Sequence, residues 1–190
     1  LPSGSQQLFI VPAHGGTPRQ MTSGDFPISG AVTWTPDSQS VIFSSNRRDD
    51  AEYHPRQSDL FAAALLTGQI TQITDTAGTE GRPVVSPNGR YLAYTQTTDI
   101  RQGYNGAKLT IRDLTTSESR SLTTDFDRSV SDIQWSQDSQ SLWISYTDLG
   151  MVRVAKIDLR GKLRQSDIVV GGTAIGRPYT SGSFSVGGKG

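Results

Sequence analysis

Apolar and polar positions alternate along this chain in short runs bounded by Gly, Pro, Asn, Asp or Ser, the pattern of half-buried strands joined by tight turns. One run recurs. Trp34 to Phe43, Val85 to Tyr94 and Trp135 to Ile144 each read as an apolar residue, a four-residue turn and an alternating strand, so the period is about fifty residues. After each copy comes a second alternating run (Asp59 to Leu66, Lys108 to Leu114, Val152 to Leu159), then a polar turn and a last strand such as Ile70 to Thr74 or Ser119 to Thr123. The repeating unit holds four strands.

The turn chemistry accounts for the pattern. In Ser86-Pro87-Asn88-Gly89 the proline presets φ, Asn tolerates the next position, and Gly accepts a positive φ before the following strand. Ser38 and Ser139 stand where Gly89 does, which predicts either a cost of about 1 kcal/mol in the left-handed region or a looser turn. Trp34, Trp135 and Trp143 fall on inward strand positions and are expected in the core.

Four-stranded antiparallel units at this period are the mark of β-propeller blades, and no segment shows a convincing helical period. The expected fold is all-β, a partial β-propeller with about three full four-stranded antiparallel blades plus two incomplete ones. Residues 1–28 read as the outer half of a blade (strands Leu8 to Pro12 and Arg19 to Thr22). Residues 29–74, 82–123 and 130–166 read as full blades, and 167–190 as the start of the next, with an inner strand near Phe184 to Val186. The whole reads as an open arc of a longer ring.

Composition narrows the function. Eighteen Lys and Arg balance eighteen Asp and Glu, so there is no net positive field to favour nucleic acid or an anionic membrane surface. No apolar run is long enough to cross a bilayer as a helix. With no cysteine and only His14 and His54, neither at metal spacing from a partner, no metal or other cofactor is expected. A metal-dependent propeller lyase, which needs a histidine cluster, fits poorly. The compartment stays open between periplasm and cytoplasm.

The runs Asp59-Leu-Phe-Ala with Thr67-Gly-Gln-Ile-Thr-Gln-Ile-Thr74, and Arg82-Pro-Val-Val-Ser-Pro-Asn-Gly-Arg-Tyr-Leu-Ala-Tyr94, resemble the propeller repeats of the prolyl oligopeptidase family of serine peptidases and of TolB-like proteins. Arg101-Gln-Gly-Tyr104, Asp127 to Trp135 and Gly171 to Val186 are similar to bacterial acylaminoacyl-peptidase and dipeptidyl-aminopeptidase-like members. The resemblance implies a propeller preceding an α/β-hydrolase domain in cis, with peptide substrates reaching the parent enzyme through or beside the ring. The Gly-x-Ser-x-Gly nucleophile elbow of such a domain does not occur in these residues, so no catalytic residue is expected here. The TolB-like alternative is a propeller that binds a protein partner and catalyses nothing.

Candidate binding residues fall in loops. Asn46 to Ser58 carries Arg47, Arg48, Asp49, Asp50, Glu52, Tyr53 and His54, and the resemblance implies that Asp49, Asp50 or Glu52 meets the free amino group of a peptide. The competing reading is a mixed-charge loop that is merely solvated. Arg101 and Tyr104 are candidates for the channel or a domain interface, against the same plain alternative. Gly171, Gly172 and Gly176 lack the Lys-Ser/Thr of a phosphate loop and read as a blade connection.

Overall fold

The computed structural model describes residues 4–98, 105–171 and 182–187, and among these there are strands and turns but no helix. A two-stranded sheet of β1 (Phe9–Ile10) and β2 (Arg19–Gln20) comes first. Three four-stranded antiparallel sheets follow. The first holds β3 (Ile28–Trp34), β4 (Ser40–Ser45), β5 (Asp59–Ala64) and β6 (Ile70–Gln72) in chain order. The second holds β7 (Thr79–Val85), β8 (Tyr91–Thr97), β9 (Lys108–Asp113) and β10 (Ser119–Ser121). In the third, β11 (Val130–Trp135), β12 (Ser141–Asp148) and β13 (Met151–Asp158) lead to β14 (Leu163–Gly171), which runs beyond residue 166.

Burial explains why the strands alternate less cleanly than half-buried strands should. β4 is buried at Val41, Ile42 and Phe43 in succession, because the first sheet is covered on both faces by its neighbours. One face meets β1–β2 through Met21, Phe43, Phe61, Leu8 and Ile10, and the other meets the second sheet through Ile42, Leu60, Val85, Leu92 and Tyr94. A larger cluster, including Leu109, Ile111, Ile133, Trp135 and Ile144, joins the second sheet to the third. The last strands, β6 and β10, are largely exposed. The stacking is that of a partial propeller.

The turns stack as well. Ser38, Gly89 and Ser139 all hold positive φ (56°, 73° and 58°), and their amides donate to Thr35, Ser86 and Ser136 carbonyls at 2.8, 2.8 and 2.9 Å. The two serines therefore keep the tight turn, and the looser geometry does not occur. Asn88 N–H donates to Ser139 Oγ at 3.1 Å, tying one turn to the next. Each first strand carries a bulge, between Ser29 and Thr33, Gly81 and Val84, and Val130 and Asp132.

Two expectations need correction. Trp34 is 49% exposed, with no ring stacked on it among the described residues, while Trp135, stacked on Tyr91, is core at 8% and Trp143 is half-buried under Lys156. Residues 182–187 carry no assigned strand, although Gln134 holds them in place, its Nε2 donating to Phe184 O and its Oε1 accepting from Val186 N at 2.9 Å.

Candidate functional site

Loop 46–58 joins β4 to β5 and folds on itself through successive turns. Ala51 N donates to Arg48 O at 3.2 Å, Tyr53 N to Asp50 O at 2.9 Å and Gln57 N to His54 O at 3.0 Å, while Asn46 Nδ2 closes the loop on His54 O at 2.8 Å. Its far end is stitched to the next sheet. Ser58 N donates to Gly78 O at 3.1 Å, Glu80 N donates to Ser58 O at 3.0 Å, and Ser44 and Ser58 hydroxyls both donate to Glu80 O. Gly78 is required there, since a Cβ would lie 2.0 Å from the Thr97 carbonyl oxygen.

Arg48 is the anchor of the loop. Its Nη2 lies 3.2 Å from the buried Asp59 carboxylate, 3.1 Å from Asp75 and 3.1 Å from Thr76 O, and Asp59 also accepts from Thr76 N at 3.0 Å. Arg47 points elsewhere. Its guanidinium sits 4.6 Å from the centre of the Phe26 ring and 5.8 Å from that of Phe61, where burial pushes its pKa down. Beside them opens a cleft of about 530 Å³ lined by Arg47, Arg48, Asp49, Asp50, Asp59, Phe61, Gln72 and Asp75.

The charge balance of this cleft is acidic. Two arginines face four aspartates, and Arg48 is already engaged by Asp59 and Asp75. Asp49 and Asp50 are the exposed members of this lining, and Asp50 lies 3.4 Å from His54 Nε2. Glu52 is exposed on the following turn and does not line the cleft. Arg101 and Tyr104 lie outside the described residues. Among the described residues no three His, Cys, Asp or Glu side chains group as a metal would require.

Sequence reasoning missed Glu80. It is fully buried at the junction of loop and sheet, accepting from Thr74 Oγ1, from Thr76 Oγ1 at 3.0 Å and from Gln96 Nε2 at 3.1 Å. Burial pushes its carboxyl above the ordinary range, and the two threonine hydroxyls only partly offset that. A charged residue inside a strand of otherwise apolar inward positions was the available signal, as was Asp59 opening the apolar run of β5: a buried acid demands a partner.

Comparison with known proteins bears on the fold and the family. Against dipeptidyl-peptidase 5 of Porphyromonas gingivalis the chain is 28% identical over 138 residues, covering 70% of this chain and 20% of the relative, so it spans about a fifth of that protein's length. TolB from Acinetobacter baumannii superposes with a TM-score of 0.66 at 22% identity over 84% of this chain and 37% of that one. A puromycin hydrolase superposes with a TM-score of 0.63 at 19% identity over 85% of this chain and 27% of that one. These two likenesses establish the propeller fold. Residues 2–99 match the family model described as the dipeptidyl peptidase IV (DPP IV) N-terminal region, and the chain belongs to that family, the propeller region of a prolyl oligopeptidase-type peptidase.

Proposed function

We propose that this chain is the non-catalytic propeller segment of a serine peptidase acting on short peptides, limiting access to an α/β-hydrolase domain elsewhere in the same polypeptide. Asp49 and Asp50 receive the free amino group of the substrate, with Glu52 adding negative field from the adjacent turn. The observation that carries this reading is the acidic cleft beside loop 46–58, in a chain whose residues 2–99 match the DPP IV N-terminal region. Because both carboxylates are exposed and Asp50 already faces His54, each contributes at most about 1 kcal/mol to holding an ammonium group, and the pair acts together.

The test compares short chromogenic peptides with free and acetylated N-termini as substrates of the full-length polypeptide. A preference for the free amine that shrinks at least several-fold in the Asp49→Asn, Asp50→Asn double variant supports the reading. Equal cleavage of both peptides by the parent protein counts against it. The propeller likeness to TolB favours a second reading, a partner-binding module without hydrolysis. A full-length polypeptide lacking a fluorophosphonate-reactive serine would select that one.

A further inference from the structure

The three four-stranded sheets repeat one cross-strand row, and the second sheet breaks it. Val41, Ala63 and Ile70 stand side by side on β4, β5 and β6, as Leu142, Ile157 and Leu163 do on β12, β13 and β14. Both rows are apolar, and Ala63 and Ile157 are fully buried. In the second sheet the same row reads Leu92, Arg112 and Ser119. A nearby position changes with it. Tyr94 stands where the other sheets have Phe43 and Ile144, which adds a hydroxyl close to the new charge. Polar residues at positions that a repeat otherwise makes apolar break a local rule, and such breaks collect at functional sites.

All three substituted residues line one cleft. It holds about 520 Å³ between the second sheet and residues 72–76 at the rim of the first, with Gln72, Asp75 and Ser117 also in its lining. Arg112 is half-buried there, and no ion pair among the described residues includes it. Its Nη1 donates to Ser119 Oγ at 3.2 Å. Tyr94 is 1% exposed, and burial pushes its phenol pKa up, only partly offset by the Ser119 hydroxyl, so it stays a proton donor. The nearby acids are engaged elsewhere. Asp75 is held by Arg48 at 3.1 Å, and Glu80 accepts from Thr74, Thr76 and Gln96.

We propose that Arg112, Ser119 and Tyr94 form a carboxylate-binding site, which takes the carboxylate of a peptide lying in the groove between the first and second sheets. The planar guanidinium fork matches a carboxylate, and the two hydroxyls supply further donors. One positive charge with Asp75 in the same lining suits a single negative charge, whereas a phosphate dianion would leave the cleft with negative charge in excess. Gln72 and Asp75 also line the cleft beside loop 46–58, so the two adjoin. Carboxylate capture at Arg112 does not depend on what Asp49 and Asp50 bind.

The test is calorimetric titration of the full-length polypeptide with three all-D probes, which resist cleavage: trialanine, trialanine amide, and the amide of alanyl-aspartyl-alanine. At least one carboxylate probe should bind about ten-fold more tightly than trialanine amide. Preference for trialanine assigns the site to a peptide C-terminus, and preference for the aspartyl probe assigns it to an acidic side chain. Arg112→Gln should abolish the preference and Arg112→Lys, which keeps the charge but not the fork, should restore part of it. Arg160→Gln, an equal charge loss on an exposed turn of the third sheet, should leave it intact. A wild type that holds neither carboxylate probe more tightly than the amide overturns the inference. So does an Arg112→Gln variant that melts lower but keeps the preference, since Arg112 would then only offset Glu80. If Arg112→Gln fails to fold, the Ser119→Ala, Tyr94→Phe double variant decides: a several-fold weaker preference is expected, and an unchanged one overturns the inference.

Discussion

Arg48 holds the Asp59 carboxylate at 3.2 Å from across the turn of its own loop, and Asp59 is 1% exposed while Arg48 remains about a third open to solvent. That asymmetry decides what each partner is worth. Arg48→Ala strands a buried charge and should destabilise the protein by about 3 kcal/mol. Asp75→Ala removes an exposed partner and should cost less than about 1 kcal/mol. Urea denaturation midpoints of the two variants check this, and equal losses would contradict it.

Glu80 makes stability depend on pH in a direction opposite to most carboxylates. Its folded pKa lies above the ordinary 4.5, so the native state binds the proton more tightly than the unfolded chain does. The stabilisation is fully present below the ordinary value and declines as pH rises towards the raised one. Wild type should therefore lose stability relative to Glu80→Gln as pH climbs from 4 upward. A difference that is flat with pH would remove Glu80 from the account.

Ser38 and Ser139 share a strained φ but not a setting. Ser38 is exposed, and Ser38→Gly should stabilise by about 1 kcal/mol. Ser139 is buried and accepts the Asn88 amide at 3.1 Å, so Ser139→Gly trades relief of strain against a lost inter-sheet bond and should gain little. Thermal melts of both variants distinguish them.

Arg82 sits in the left-handed region at φ 52° inside the bulge of β7, with its guanidinium 4.0 Å from Asp132 and half exposed. Arg82→Gly should be neutral to within about 0.5 kcal/mol, because relaxed strain offsets the extra freedom of the unfolded chain. Arg82→Val, β-branched at a positive φ, should destabilise by about 2 kcal/mol or more. Circular dichroism melts of the pair test the backbone assignment directly.

The period, the turns and the strands β3–β4, β7–β8 and β11–β12 were legible because hairpin formation depends on residues within a few positions of each other. Pro87, Asn88 and Gly89 dictate their turn whatever surrounds them. The aspartates of loop 46–58 were legible as candidates only, since a charged loop has the same sequence whether it is solvated or lines a cleft.

Sequence alone determined that the chain builds four-stranded units every fifty residues and that those units stack, because strand alternation and turn residues are local and repeat. Tertiary structure alone decided that Trp34, unlike Trp135, is a surface, that Arg48 rather than Arg47 anchors the loop, and that Glu80 is buried. Those outcomes depend on what the neighbouring sheet places within about 4 Å, which no spacing along a single strand encodes.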